Sequence, residues 1–585
     1  NSKFALGVTI HHRDELDSVQ RELRKIEGVS AIIYDQVCAT EKRRRRKRGI
    51  MPKADWKVVI NPEVCEGCGD CGKTSNCLSL HPLETELGRK RIVDQSSCNM
   101  DYSCIKGFCP SFVLIKGGET KSNAPITIED TSKTLSEPDK PDSEKPYSIL
   151  ISGIGGMGIV TLSAIIGTSA KIDGKAATVL DKAGLAQKYG AVTSHIRIAN
   201  NSSSLHAVRI SNNEANLLIG ADLIVSGSPE SLSKLRFGMT NAIINSSQTV
   251  TGEFTRNPDQ DYPQESIEDT IKDFVSHSNA DFIDATKIVT TLFGDALYTN
   301  LFLLGYAFQN GLIPLKSESI EKAIRLNGIK VEKNLQAFRA GRIYGHNKNS
   351  LSVPRSTSAN TKTIFKTLND KIEYRYQDLI AYQNKLYADK YKNLLNSIKI
   401  SEQSLSNSSE RLQEEVAISY YKLLAYKDEY EVARLYTDGR FESQLTEQFQ
   451  GKFSCYFHLA PPFLGKRNSN TGHQEKRLFS PKMFYAFKLI KNLKFLRGTI
   501  FDIFGMSQER RKERELISNF EKNMGYILNG LSSDNYQSAI EIAKLPQKIR
   551  GFGHVKEKNI KEFEKENSLL LANFNHQNPS SKVAE

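Results

Sequence analysis

Tyr147-Ser148-Ile149-Leu150-Ile151-Ser152-Gly153-Ile154-Gly155-Gly156-Met157-Gly158 is the stretch on which the fold of the chain's middle turns. An apolar run of strand length enters a glycine-rich loop, and Ile159, Leu162, Ile165 and Ile166 follow at helical spacing, so a strand passes through a tight turn into a helix. Strand-like runs at Ala177-Thr178-Val179-Leu180, His195-Ile196-Arg197-Ile198 and Leu223-Ile224-Val225 keep strand and helix alternating. That alternation predicts a doubly wound, Rossmann-like α/β domain over 147–340. Gly153, Gly155 and Gly158, with Asp181 closing the next expected strand, meet the dinucleotide fingerprint. The extra Gly156 departs from it, and such glycines equally permit close approach of a phosphate or of another domain's backbone. Both readings stand at this point.

Working outward, 117–146 is rich in Lys, Glu, Ser, Thr and Pro and reads as a flexible linker. Before it, at 55–116, lies the cysteine-rich block. Cys65, Cys68, Cys71, Cys77, Cys98, Cys104 and Cys109 are seven of the chain's nine cysteines. Odd in number and tightly spaced, they argue for thiolates gathered on metal in a reducing compartment rather than for disulfides. Cys65-x2-Cys68-x2-Cys71 offers three sulfurs to three corners of a [4Fe-4S] cube, and a distant Cys followed by Pro, here Cys109-Pro110, commonly supplies the fourth. Cys77, Cys98 and Cys104 are one thiolate short of a second cluster, and Cys77 is an alternative to Cys109 in the first. A structural zinc site is the competing reading, although only one side of the block resembles a knuckle.

The ends differ in character. Residues 1–48 combine two apolar runs, Phe4–Ile10 and Ala31–Tyr34, with a helix pattern at Leu16, Val19, Leu23 and Ile26, a βαβ-like fragment too short for its own core. The opening Asn1-Ser2-Lys3-Phe4 has neither an initiator Met nor a leader sequence, so the chain is expected to be the back part of something longer. Residues 365–585 read as mostly helical, with Ile372, Tyr376, Leu379, Tyr382 and Leu386 on one stripe and Leu412, Val416, Tyr420 and Leu423 on another. Gly294–Asn300 has the look of a thiamine diphosphate motif with its Asn far too close, and is expected to start a helix. The whole, 585 residues, is multidomain α/β: a ferredoxin-like module, a Rossmann-like domain and a mostly α C-terminal domain. No stretch is long and apolar enough for a bilayer span. The formal charge of +13 falls to +6 without the run Lys42–Arg48, which leaves no general nucleic-acid signature.

Cys65-Glu66-Gly67-Cys68-Gly69-Asp70-Cys71, Cys109-Pro110-Ser111-Phe112, Gly153–Gly158, Gly184-Leu185-Ala186-Gln187-Lys188 and Ser194-His195-Ile196-Arg197 together closely resemble the indolepyruvate ferredoxin oxidoreductase family in its long, single-chain form. His458-Leu459-Ala460-Pro461-Pro462 and Arg550-Gly551-Phe552-Gly553-His554 resemble that form's C-terminal domain of uncharacterised role. The resemblance implies oxidative decarboxylation of an aryl 2-oxo acid, indolepyruvate, to an acyl-coenzyme A, with electrons leaving through a [4Fe-4S] cluster to ferredoxin or another acceptor. It implies that thiamine diphosphate and Mg²⁺ are bound by an upstream half whose tail is residues 1–48, and that the enzyme is a cytoplasmic homo-oligomer. It makes 147–340 the family's gamma domain, which does not use its glycine loop for NAD. Gln187, Ser194, His195 and Arg197 become candidate pocket residues, His195 as a donor and Arg197 as a bidentate clamp, against a purely structural role at a strand edge. His458 and His554 are expected as loop anchors, and Lys42–Arg48 as a connector or a dock for an acidic ferredoxin. Two other readings compete: an NAD(P)-linked iron-sulfur oxidoreductase holding nucleotide at Gly153–Gly158, and a zinc-stabilised interaction scaffold.

Overall fold

A segment with one short amphipathic helix has little apolar surface to close on itself, and the start of the chain bears this out. The computed structural model describes residues 4–5, 7–52, 54–121, 128, 134–184, 189–351, 365, 367–405, 409–460 and 475–576, and the chain divides into two units, Asn1–Ala54 and Asp55–Glu585. In the first, the described residues form helices Leu16–Leu23 and Ala39–Lys47 but no strand. Val8, Ile10, Ile32 and Ile33, expected in strands, are exposed. A strand needs a partner for its backbone groups, and the described residues of this unit pair none.

The second unit begins with the cysteine module: β1 (Trp56–Ile60), β2 (Leu80–Thr85), β3 (Gly88–Val93) and β4 (Phe112–Thr120). The central domain follows with β5 (Tyr147–Ile154), β6 (Ala176–Ala183), β7 (Ala191–Ala199), β8 (Leu217–Gly220), β9 (Asn241–Asn245) and β10 (Ala280–Ile283). They form one sheet in the order β10-β9-β8-β5-β7-β6. β10, β9, β8 and β5 run parallel, while β7 is antiparallel to both β5 and β6. The sheet is therefore mixed rather than wholly parallel: the connection from β6 to β7 is too short for a crossover helix and makes a hairpin instead. Leu223–Val225, expected as a strand, is a helical turn capped by the Asp222 carboxylate, which accepts from Val225 N. The strand is the equally apolar Leu217–Gly220 just before it.

Helices cover both faces of this sheet. Ile149, Ile151, Ile196, Ile198 and Ile219 pack against Ile159–Ile172 and the helix Thr299–Gln309, buried from Thr299 to Phe308. Leu150, Leu218 and Ile244 on the other face meet Leu223, Leu232, Ile271 and Val275. Helix Thr299–Gln309 crosses Val331–His346 at two glycines so closely that a Cβ on Gly305 would lie 1.9 Å from Phe338 O, and one on Gly341 2.0 Å from Phe302 O. As expected, Gly294–Asn300 starts a helix, with Asp295 as N-cap. The stretch expected as a flexible linker is tied down where it is described: Ser136 O accepts from Gln309 Nε2, Ser143 Oγ donates to Asn200 Oδ1, and Ile128 lies in the domain core.

The C-terminal part is helical except for β11 (Phe449–Leu459) and β12 (Arg477–Phe479). These complete the cysteine module's sheet in the order β1-β4-β11-β12. His458, expected in an irregular loop, is thus a strand residue opposite Leu478, while Pro461 and Pro462 lie outside the described residues. Ile372, Tyr376, Leu379 and Tyr382 are buried on one stripe as expected, but Leu386 is exposed. The helix stops at Gln383, and Asn384 caps a new one by accepting from Tyr387 N.

Gly341→Ala is expected to cost about 1–3 kcal/mol because two backbones leave no space for the methyl. Gly525→Ala, in a helix with open space around it, is expected to be neutral or to gain up to about 1 kcal/mol. Thermal unfolding of the two variants side by side checks the contrast; equal stabilities would refute the close crossing.

Candidate functional site

The cysteine loop is built by glycine. Gly67 (φ +65°) lies so near β3 that a Cβ would sit 2.1 Å from Arg89 O, and Gly69 (φ +79°) packs on Pro258 of the central domain. Cys68 sits between these two glycines, Cys65 just before them and Cys71 just after, at the start of helix Asp70–Ser75. Cys65, Cys71, Cys104 and Cys109 are buried, and Cys68, Cys77 and Cys98 half-buried. The thiols influence one another in two sets. Burial first, then Cys109, Cys65 and Cys71, push the Cys68 thiol well above its ordinary value. Burial, then Cys77 and Cys98, push Cys104 up. Cys109 is pushed up to about 11 by burial and Cys65, and its Sγ is 2.9 Å from Ser111 Oγ. Cys65, Cys68, Cys71 and Cys109 form the set that the spacing suggested, and Cys77, Cys98 and Cys104 a second one that touches the first through Cys71, whose thiol Cys104 also pushes up. Among the described residues no three His, Cys, Asp or Glu side chains close on a single metal-ion position.

What seals this loop was not legible from the cysteine spacing. A Cβ on Gly551 would approach both Val555 and, at 3.5 Å, Cys68 Cβ; one on Gly553 would strike the Phe108 ring. Phe552 is buried in the same core as Cys65 and Cys71, and the His554 ring lies 5.1 Å from Phe108. Residues 550–554 therefore form a lid of the helical domain over the cysteines. Cations crowd the same place. Lys427 Nζ donates to Cys65 O (3.2 Å), Lys476 Nζ to Cys109 O (3.4 Å), and Arg91 to Pro258 O (2.8 Å) while lying over the Phe254 ring. Arg89 bonds Gln260 O and Asp261, and Arg550 bonds Asp259. The central domain's 254–261 loop thus clamps the module from one side and the helical domain from the other.

The residues proposed for the central domain do not form one pocket. Strand alternation puts Ser194 on the face of helix Ile159–Ile172, where it and Ser163 donate to Asp181. His195 and Arg197 point to the opposite face. His195 Nδ1 accepts from Ile210 N (3.3 Å), and burial, then Arg209 and Lys234, lower its pKa, favouring the neutral ring. Arg197 stands 3.8 Å from Glu214, and its Nε is buried without a hydrogen-bond partner. Gln187 lies outside the described residues. The glycine loop is engaged by its own protein: Gly155 N donates to Gly190 O (2.7 Å), and Asn300 Nδ2 to Met157 O (2.8 Å). A Cβ on Gly153 would meet Ile159 and Ala221, whereas Gly156 and Gly158 supply the positive φ of the turn. β7 separates β6 from β5, so Asp181 is not on the neighbouring strand that a dinucleotide site requires, and its carboxylate is already bonded. This arrangement lends no support to the NAD reading.

Residues 148–344 match the family Pyruvate ferredoxin/flavodoxin oxidoreductase. The indolepyruvate oxidoreductase subunit IorB of Methanothermobacter thermautotrophicus is 28% identical over 197 residues, spanning 33% of this chain and 95% of the subunit. That of Pyrococcus horikoshii is 26% identical over 209 residues, spanning 34% and 95%. The likeness to 2-oxo acid:ferredoxin oxidoreductases runs through the central domain, and residues 368–568 match a family of unknown function (DUF6537). Among solved structures, the pyruvate oxidoreductase subunit PORC of Thermotoga maritima aligns with TM-score 0.25 and 19% identity, over 34% of this chain and 96% of that one. The gamma subunit of a keto/oxoacid ferredoxin oxidoreductase of Geobacter sulfurreducens aligns with TM-score 0.24 and 18% identity, over 34% and 98%. No helix among the described residues is long and apolar enough to cross a membrane.

The thiols differ in reactivity in a way that can be measured. Backbone N–H groups of Glu41 and Thr40 lower the pKa of the exposed Cys38, while burial raises Cys68, Cys71 and Cys104. Since the thiolate is the nucleophile, iodoacetamide at pH 8 is expected to label Cys38 of the metal-free chain at least ~10-fold faster than those three. Peptide mass spectrometry reads the order, and uniform labelling would contradict it.

Proposed function

We propose that this chain is the electron-exit and gamma portion of an indolepyruvate-type 2-oxo acid:ferredoxin oxidoreductase. The observation that carries the proposal is the set Cys65, Cys68, Cys71 and Cys109, sealed by residues 550–554 and clamped to the family domain by its 254–261 loop. Four thiol donors in a largely dry, glycine-built loop suit a [4Fe-4S] cluster in softness and number. Gly67 N already donates to Cys65 Sγ at 3.3 Å, the kind of bond by which a protein tunes cluster potential. Lys427, Lys476 and Arg91 surround the loop with positive charge, which favours thiolate over thiol.

When bound, such a cluster takes up and passes on electrons one at a time. The chain's own residues do the rest. Cys65, Cys68, Cys71 and Cys109 hold the group, Phe552, Gly553 and Phe108 exclude water from it, and Arg89, Arg91 and Arg550 fix its distance from the central domain. Cys77, Cys98 and Cys104 are the donors left for a second cluster; Met100 N donates to Cys98 Sγ at 3.4 Å. Thiamine diphosphate and Mg²⁺ are assigned to a partner subunit or segment, in line with the subunit nature of the IorB relatives. Coenzyme A is assigned to the face of the central domain that carries His195 and Arg197, where Lys182, Arg209 and Lys234 gather positive charge. The buried, hydrogen-bonded His195 acts there as a neutral positioning group rather than as an acid. In the assembled enzyme, itself a homo-oligomer, ferredoxin takes the electrons.

The anaerobically prepared chain, combined with a thiamine diphosphate-binding partner subunit of the IorB type of enzyme, is expected to reduce ferredoxin when given indolepyruvate and coenzyme A. Cys68→Ala is expected to lower that rate by more than the ~10–100-fold that loss of an outer-shell partner costs at a metal site. Formation of NADH in place of reduced ferredoxin, or full activity in Cys68→Ala, would refute the assignment.

A further inference from the structure

The donor loop of the cysteine module occurs twice. Cys65, Cys68 and Cys71 stand three positions apart, and so do Cys98, Asp101 and Cys104. A carboxylate in the second run takes the place of the middle thiol in the first. Spacing of this kind can arise by chance, but the backbone repeats it. Gly67 and Gly69, on either side of Cys68, have φ +65° and +79°, and Met100 and Tyr102, on either side of Asp101, have φ +54° and +62°. The left-handed region is natural to glycine and strained for a Met or a Tyr, so the second loop keeps the shape of the first at a cost. Each run then enters a short helix at its third donor. Gly69 caps Asp70–Ser75, whose second residue is Cys71, and Tyr102 caps Ser103–Lys106, whose second residue is Cys104. The two helices pack on each other.

The hydrogen bonds repeat as well. Gly67 N donates to Cys65 Sγ at 3.3 Å, and Met100 N to Cys98 Sγ at 3.4 Å. The N–H of Asp70 donates to the Cys68 sulfur; its counterpart, Ser103 N, donates to Asp101 Oδ1 at 3.4 Å, with Ser103 Oγ on Asp101 Oδ2 at 3.0 Å. Asp101 thus holds in the second loop the position that Cys68 holds in the first. The fourth donors are exchanged between the runs. Cys109 follows the second run yet groups with Cys65 and Cys68. Cys77 follows the first run, but it lies with Cys98 and Asp101 among the charges that, after burial, act on Cys104. Such an exchange is the ligand pattern of a module that carries two clusters.

We propose that Asp101 is the fourth ligand of a second [4Fe-4S] cluster, held together with Cys77, Cys98 and Cys104. Resting on the reading of the module as iron-sulfur-binding, this assignment supplies the donor that the cysteine count lacks. Thiolates are soft donors that suit iron-sulfur clusters, whereas a carboxylate is a harder one, so the iron at Asp101 is the most weakly held. Asp101 is exposed, which lets that iron leave to solvent. When ferricyanide takes one electron, one Fe²⁺ departs from the carboxylate oxygen, [4Fe-4S]²⁺ becomes [3Fe-4S]⁺, and every sulfide stays on Cys77, Cys98 and Cys104.

The test uses the full chain purified anaerobically with its metal, read by iron and sulfide content and by EPR. The parent is expected to hold about eight irons and, given one equivalent of ferricyanide, to lose about one of them and show the signal of a three-iron cluster. Asp101→Cys should keep about eight irons and resist the same treatment, while Asp101→Ala should hold about seven and show the three-iron signal before any oxidant is added. Asp101→Cys converting as readily as the parent, or Asp101→Ala with undiminished iron, would overturn the proposal. So would about four irons in the parent, all lost in Cys109→Ala, a result that leaves the first cluster standing. A chain with zinc and no iron would overturn this site together with the reading beneath it.

Discussion

A segment that devotes seven side chains to sulfur donors has few left to fill a core of its own. Between Cys65 and Cys109 the fully buried aliphatic residues are few, Leu80 and Leu83 among them. The consequence is visible in the packing: Cys65, Cys71, Cys104 and Cys109 share one core with Tyr436, Phe441, Phe457, Phe487 and Phe552 of the C-terminal part. The sheet is shared too, since β11 pairs along β4 and, among the described residues of its own domain, with the three-residue β12 alone. Hydrophobic burial that the module cannot supply is lent by the domain of unknown function, and the price is that neither is complete alone.

This dependence explains the lid. A glycine turn that holds thiols must be open to the incoming group yet closed to water, and side chains on the turn would defeat both ends. Gly67 and Gly69 keep it narrow, and Phe552 and Phe108 close it from outside. The central domain contributes the third wall through Pro258 and the arginines that reach its 254–261 loop. Three domains of the second unit therefore meet at one loop.

Much of this was legible in the sequence, and the reasons for the remainder are physical. The strand-glycine-helix passage at 147–166 and the grouping of Cys65, Cys68 and Cys71 are local patterns of backbone and spacing, and local patterns survive folding. The β6–β7 hairpin is not legible because an apolar run does not declare its direction, and Leu223–Val225 reads as a strand because it is as apolar as Leu217–Ile219. Ser194 and His195 are adjacent in sequence, yet a strand sends neighbours to opposite faces. The lid at 550–554 is long-range: over 400 residues separate Cys68 from Gly551 in sequence, and no local pattern declares such a contact.

The central claim is that the shared core is organised around an iron-sulfur group at Cys65, Cys68, Cys71 and Cys109. Its most direct test is the iron and acid-labile sulfide content of the anaerobically purified full chain, measured beside Cys109→Ala. The account predicts at least about four irons with matching sulfide per chain and a loss of roughly four of each in the variant. A colourless chain with stoichiometric zinc and no sulfide, or a variant with undiminished iron, would contradict it.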